Sequence, residues 1–372
     1  SGGTWPGEIA LKLDPNILAK IAPKNIILVA GTNGKTTTTL MIKHILGHDV
    51  ATNASGANLL NGIVSSIITS DVKNWGIFEV DENTLPRVLS QIKNQKAKGK
   101  IIVVLLNLFR DQLDRYGEVD TIAANWKKAL KDYPGKLILN ADDPLIASLG
   151  NKGSFYFGLE DKKLFQKVPE HAMDSQFCSQ CGKHLKYAGY FYSHLGHWSC
   201  PKCHFSRPKV LLSEAFYPLS GTYNRYNTLA AIAVAKVLGV KPDLTGFLPA
   251  FGRQEQVGDA KIFLSKNPAG FNESLRTVIE LKAENILIAL NDRIPDGRDV
   301  SWIWDVDFEM IPRSISIFVN GDRALDMAVR LKYAGLKCQI VSRVPKIENL
   351  YILATYSAML DIRKELTGKK IL

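Results

Sequence analysis

The stretch Ile26-Ile27-Leu28-Val29-Ala30-Gly31-Thr32-Asn33-Gly34-Lys35-Thr36-Thr37 constrains this chain more than any other. Five apolar residues lead into a turn bracketed by glycines. Threonines follow, and Leu40, Met41, Ile45 and Leu46 then recur at helical spacing. That order reads as strand, loop and helix. Glycines let backbone N–H groups close round an anion, and a helix starting there turns its positive end towards it. Lys35 is placed to reach terminal phosphates and the Thr36 hydroxyl to sit on Mg²⁺, with Thr32, Asn33, Gly34 and Thr37 completing the cradle. The full phosphate-loop pattern has glycine where this chain has Val29.

A chain of 372 residues is long enough for two or three domains, each with its own core. The 46% apolar and 22% charged content is that of a globular protein. No apolar run reaches the roughly 18 residues that span a bilayer, no signal peptide is read, and Ser1-Gly2-Gly3 reads as a frayed end. The net charge of +11 fits either a solvated surface or an anionic partner: nucleic acid, a phospholipid surface or an acidic substrate.

Four of five cysteines pair as Cys178-x-x-Cys181 and Cys200-x-x-Cys203, the spacing of a zinc ribbon holding one Zn²⁺ on four thiolates. The alternative is two disulfides, which a phosphate-loop protein of the reducing cytosol disfavours. His184, His194, His197 and His204 are possible further ligands, but four thiolates already fill a structural site. Aromatics and lysines in the insert admit single-stranded nucleic acid as a ligand, although a small ribbon needs aromatics for its own core. Cys338 alternates as in a strand and reads as a small buried residue.

In chain order, Leu11, Leu13, Ile17, Leu18 and Ile21 mark a lead-in helix. Trp75–Val80 is a strand running into acids up to Glu82, placing Glu79 where a carboxylate can hold Mg²⁺. Glu82 fits an exposed turn better than Glu79 does. The apolar run 101–106 is a strand buried on both faces. Strand and helix alternate to about residue 160, which argues a doubly wound parallel sheet. The ribbon, about 174–208, interrupts that rhythm, and the alternation resumes in an alanine-rich helix ending at Leu238. A second α/β unit follows, giving domains 1–252 and 253–372. After the strand at 286–290 a loop is crowded by Asp292, Asp296, Asp299, Asp305 and Asp307.

Taken together, the phosphate loop, Glu79, Arg110-Asp111-x-Leu113-Asp114, Asn140-Ala141-Asp142-Asp143-Pro144, Tyr223-Asn224-x-x-Asn227 and Gly252-Arg253 resemble the Mur ligase family. The ribbon, Lys266-Asn267-Pro268-Ala269-Gly270-Phe271-Asn272 and Asp296-Gly297-Arg298-Asp299 resemble its MurT group, the synthetase subunits of lipid II isoglutaminyl synthase. The resemblance implies a Mur ligase-like ATP-binding central domain with an inserted zinc ribbon, followed by a Rossmann-like C-terminal α/β domain. It implies ATP-dependent amidation of D-glutamate in lipid II at the inner membrane face, through an acyl phosphate. Mg²⁺ would lie on Thr36 and Glu79, with Lys35 and Glu79 catalytic. Asn224 and Arg253 are implied at the nucleotide, as are Asn267, Asn291 and Asp292 at nucleotide or substrate. Ammonia would come from a GatD-type glutaminase, whose Cys-His pair Asp299 or Asp305 completes. Two departures bear on a second metal: Gln112 stands where the family has histidine, and Trp126, beside Lys127, stands near its carbamylated lysine. The alternatives are a stand-alone ligase of the folylpolyglutamate synthase type and a zinc-ribbon ATPase that binds nucleic acid.

Overall fold

The computed structural model describes residues 2–47, 49–53, 56–72, 74–93, 99–111, 118–166, 168–171, 173–249 and 251–368. They form two compact units, one of residues 1–167, 174–219 and 223–247, the other of 168–173, 220–222 and 248–372.

The first unit is built on a parallel sheet of β1 (Asn25–Ala30), β2 (Ala51–Thr52), β3 (Trp75–Val80), β4 (Ile101–Leu105), β5 (Lys136–Asn140) and β6 (Phe155–Phe157). Its order is β2-β3-β1-β4-β5-β6. Ile26 to Ala30 and Ile102 to Leu105 are almost wholly buried, which is why these strands read as unbroken apolar runs. Leaving β1 the chain moves towards β2, whereas leaving β4 it moves towards β5. The carboxyl ends of β1 and β4 therefore flank the crevice where an open α/β sheet binds its ligand. The helices α3 (Lys35–Leu46), α4 (Leu60–Ile68), α5 (Leu85–Ile92), α6 (Val119–Leu130) and the short α7 (Pro144–Ala147) connect these strands.

The lead-in helix is two helices, α1 (Trp5–Leu13) and α2 (Ile17–Ile21). Pro15 lacks the N–H that a continuous helix needs, and Leu13, expected on the packed face, is 83% exposed. Gly7 instead lies against α4, where a Cβ would fall 2.0 Å from the Asn61 carbonyl oxygen. The inserted segment forms an antiparallel hairpin of β7 (Lys186–Tyr192) and β8 (Leu195–Ser199). The unit ends on α8 (Thr222–Leu238), whose alanines are fully enclosed.

The second unit carries β9 (Arg253–Val257), β10 (Ala260–Leu264), β11 (Asn285–Ala289), β12 (Ser316–Asn320), β13 (Gln339–Ile340) and β14 (Leu350–Ala354), in the order β13-β12-β11-β14-β10-β9. All pairings are parallel except β9 with β10. Its helices are α9 (Pro268–Glu280), α10 (Ala324–Tyr333) and α11 (Tyr356–Thr367). The strand expected around Cys338 is a two-residue edge strand. Among the described residues no strand pairs with its outer side, and Gln339 and Ile340 are exposed and Cys338 is only half-buried. Among the described residues no helix is long and apolar enough to cross a membrane.

Candidate active site

The loop joining β1 to α3 is only residues 31–34, because Val29 and Ala30 remain in register with Glu79 and Val80 on one side and Val104 and Leu105 on the other. Gly31 has φ +139° and Gly34 φ +91°, in the left-handed half of conformational space. A Cβ at Gly34 would meet the Asn227 side-chain oxygen at 2.0 Å, so glycine is required for space as well as for backbone freedom. Threonine is a modest helix former; α3 holds because Thr36 to Thr39 are enclosed by tertiary structure.

Neighbouring loops clamp this turn. Thr32 N–H donates to the Asn107 carbonyl at 3.0 Å. The Thr32 hydroxyl accepts from Phe109 N–H at 3.0 Å and donates to the Phe109 carbonyl at 3.2 Å. Asn33 and Asn107 exchange two bonds, of 2.8 and 3.0 Å. The first-turn N–H groups of α3, which have no partner inside a helix, are thereby held at the crevice mouth with the positive helix end behind them.

Three charged side chains converge there. Lys35 Nζ donates to the Gly31 carbonyl at 2.6 Å and lies 3.3 Å from the Glu82 carboxylate. Thr36 Oγ1 donates to Glu79 Oε2 at 2.5 Å. Asn53 brackets Glu79 by bonding its backbone N–H and carbonyl, which fixes the main chain from which the carboxylate projects. Mg²⁺ takes oxygens at about 2.0–2.1 Å in an octahedron, so adjacent ligands stand about 2.9 Å apart. Opening the Thr36–Glu79 pair by a few tenths of an ångström makes room for that ion, and the donor set is of the right hard-oxygen kind.

The exposed acidic turn expected at Glu82 is not what forms. Glu82 is 5% exposed, paired with Lys35, and its backbone carbonyl accepts from Trp126 Nε1 at 2.8 Å. Sequence reasoning therefore missed Glu82, whose one available signal was its lying three residues beyond Glu79 at a strand end. Asn224 is buried on α8 and accepts from Asn227 at 3.1 Å, and Asn227 is the residue that lies against Gly34. Gln112, Leu113 and Asp114 lie outside the described residues.

The Asn140–Pro144 segment is a buried junction. Asp142 is fully enclosed and receives Arg207 Nε at 2.5 Å, the Tyr226 hydroxyl at 2.7 Å and Leu159 N–H at 2.9 Å. Burial pushes its carboxyl upward, opposed first by the Arg207 guanidinium and then by the Tyr226 hydroxyl. Removing one partner of such a buried set leaves the others uncompensated. Asp142→Ala is therefore expected to lose about 3 kcal/mol or more of stability in a urea titration, and an unchanged midpoint would refute the junction role.

The four cysteines are brought together as their spacing predicts. Their sulfurs lie within 4.8 Å of one another, with Cys178 and Cys203 at 3.6 Å and Cys181 and Cys200 at 3.5 Å. A disulfide needs about 2.05 Å, and all four are free thiols. Tetrahedral zinc with Zn–S of about 2.3 Å sets its sulfurs about 3.8 Å apart, so the cluster has the size of that site. Backbone N–H groups, that of Cys203 foremost, lower the Cys200 thiol to about 6. Although the Phe205 N–H lowers Cys203, burial and its three sulfur neighbours lift it to about 12. None of His184, His194 and His197 joins the cluster: their ring nitrogens engage the Leu185 carbonyl, the Asp143 carboxylate and the Leu159 carbonyl.

In the second unit, Asn267 is the N-cap of α9, accepting from Gly270 N–H at 2.8 Å. Asp292 pairs with Arg323 at 2.9 Å, and half-buried Arg253 donates to the Phe251 carbonyl at 3.2 Å. Asp296 is absorbed by Ser357, and Asn291 bridges Ser357 and Asp322. Asp299 is exposed, bonded to Ser301 N–H at 2.8 Å and the Ser301 hydroxyl at 2.9 Å; the Ser301 N–H holds its carboxyl below the usual range. It lines a cleft of about 460 Å³ with Arg298, Trp304, Leu325 and Val329. Asp305 is half-buried at the end of a 3₁₀ turn.

Residues 29–235 match the Mur ligase middle domain, and residues 264–359 match the MurT ligase C-terminal domain. The lipid II isoglutaminyl synthase (glutamine-hydrolyzing) subunit MurT of Staphylococcus aureus (strain COL) is 34% identical, over 91% of this chain and 85% of its own length. The chain belongs to the MurT family. The MurT subunit of Streptococcus pneumoniae (strain ATCC BAA-255 / R6) is 32% identical over the whole chain and 93% of its own length. MurT membership makes this chain an ATP-dependent ligase, and the family implies Mg²⁺. Among solved structures, a pseudomurein peptide ligase type C from Methanothermus fervidus shares the fold. It has a TM-score of 0.69 and 21% identity, covering 94% of this chain and 80% of that one. A Mycobacterium tuberculosis folylpolyglutamate synthase does too, at TM-score 0.58 and 13% identity, covering 98% and 95%.

Proposed function

We propose that this chain amidates the α-carboxylate of D-glutamate in the lipid II stem peptide, giving D-isoglutamine, with ATP and with ammonia from a GatD-type glutaminase. The observation that carries the reading is a MurT-type C-terminal domain on the same chain as the Thr36–Glu79 pair and Lys35. A carboxylate oxygen attacks the γ-phosphorus of ATP and ADP leaves, forming an acyl phosphate. Ammonia then attacks the carbonyl carbon, phosphate departs with the C–O electron pair, and the nitrogen sheds a proton. Bound Mg²⁺ supplies charge neutralisation between the phosphates. The protein's own part is positional. Backbone N–H groups of residues 32–36 cradle phosphate, Thr36 and Glu79 hold the ion, and Lys35 swings from Glu82 to the transferred group. Asn224, Arg253, Asn267 and Asp292 are assigned to the nucleotide, and a structural Zn²⁺ to Cys178, Cys181, Cys200 and Cys203. The protein acts in the cytoplasm at the inner face of the membrane, where the lipid-linked substrate lies.

The test is ADP release by the purified chain with lipid II, Mg²⁺ and ammonium, followed by the mass of the stem peptide. A carboxyl converted to an amide supports the reading; turnover only with a free amino acid replaces it with a stand-alone ligase. Of the two aspartates assigned to the partner's Cys-His pair, exposure and the adjoining cleft favour Asp299. Asp299→Asn is expected to lower glutamine-driven turnover at least about 10²-fold, the scale on which a mis-set triad fails, and to leave ammonium-driven turnover in place. The same loss in Asp305→Asn alone would reverse the assignment.

A further inference from the structure

The tip of the inserted hairpin is hidden. Connecting turns run over the surface, yet Ser193 and His194, between β7 and β8, are 1% and 0% exposed. Ser193 also takes a positive φ of 46°, which costs a side chain energy and persists only where the surroundings impose it.

Two contacts of the buried imidazole lead to the loop after β4. Its Nε2 lies 3.2 Å from Asp143 Oδ2, the oxygen that also accepts Leu108 N–H at 2.8 Å. Its ring lies 4.9 Å from the ring of Phe109. Leu108 and Phe109 belong to the loop after β4, and Phe109 is the residue that grips the Thr32 hydroxyl from both sides. A second clasp binds the same loop, because Asp174, at the start of the insert, takes Arg110 N–H at 3.0 Å and Arg110 Nε at 2.5 Å. Beyond β8 the hairpin runs straight into Cys200, which shares a buried cluster with Trp198 and Leu185.

We propose that His194 is a positioning residue for ATP. Through Asp143 and Phe109 it sets the loop that holds Thr32, and so ties the tip of the inserted hairpin to the phosphate-binding turn. A ribbon that merely stabilised itself would not need to bury its hairpin tip against that loop.

The test is binding of Mg·ADP to the whole chain, with zinc measured on the same samples. His194→Ala is expected to weaken binding about tenfold, the effect of losing a hydrogen bond to a charged group. It is also expected to raise the KM for ATP more than it lowers kcat, with zinc content unchanged. His194→Gln, which keeps a donor, is expected to recover much of the loss. His194→Phe, which keeps the ring and loses the donor, is expected to recover less. Phe109→Leu lies on the same route, so combining it with His194→Ala should add little to the larger single loss. Wild-type affinity in the zinc-replete Ala or Phe variant, or losses that multiply in the pair, overturns the proposal. The inference rests on reading this loop as the nucleotide site. Failure of the unaltered chain to bind Mg·ADP would refute that reading, whereas binding that ignores His194 refutes only the coupling.

Discussion

Lys35→Ala is expected to lower ATP-dependent turnover by about 10³-fold, the upper scale for removing one preorganised donor to developing charge. The geometry also says how this loss is separated from misfolding. Lys35 is 9% exposed and its counter-charge, Glu82, is 5% exposed. Deleting the lysine alone strands a buried carboxylate, which destabilises a protein by about 3–5 kcal/mol. Lys35→Met/Glu82→Gln removes both charges at similar volume, so its melting temperature should return towards that of the unaltered chain. Turnover should stay at the level of the single variant. If the double variant recovers activity along with stability, Lys35 serves the fold and has no part in phosphoryl transfer. Glu82→Gln by itself frees Lys35 of its competing carboxylate and serves as the reference for both.

The parts of this site that were legible in the sequence are those whose chemistry is local. A strand-loop-helix with glycines at 31 and 34 is fixed within a dozen residues, and the structure places Gly31 and Gly34 at positive φ. The two Cys-x-x-Cys knuckles are likewise local, and bringing them together needed only an intervening hairpin. Glu82 was misread because its burial depends on Lys35 and Trp126, 47 and 44 positions away. His194 was weighed only as a spare metal ligand. Nothing near it in sequence announces Asp143 or Phe109, so its placement had no local signal. The same holds for Asp142, where Arg207 and Tyr226 arrive from 65 and 84 positions away. The break in the lead-in helix, by contrast, was written at Pro15, and apolar spacing alone carried the reading across it.

The largest structural effect is expected from the metal. The ribbon's small core consists of Cys178, Leu185, Trp198 and Cys200 with Ala147, joined by half-buried Cys181, Tyr187 and Phe205. Three of its packing groups are thus the thiols themselves, too few apolar groups to offset the chain entropy of the knuckles. Structural zinc contributes about 10–16 kcal/mol in isolated zinc-finger peptides at neutral pH. Stripping it with a chelator, or making Cys181→Ser, should therefore melt the knuckles. The hairpin between them has other anchors, since Trp198 Nε1 donates to the Ala141 carbonyl at 3.1 Å and Gly196 N–H to the Asp142 carbonyl at 3.1 Å. Hydrogen exchange should consequently become fast at residues 178–185 and 200–206 on zinc removal and remain slow at residues 191–196. Cobalt in place of zinc should show the absorption of a tetrahedral thiolate site. Knuckle amides equally protected with and without chelator would mean that the cysteines pack as plain small residues and bind no metal. Exchange spreading through residues 191–196 would mean that the junction at Asp142 and Asp143 cannot hold the hairpin unaided. The metal would then stand upstream of the whole loop that clamps Thr32.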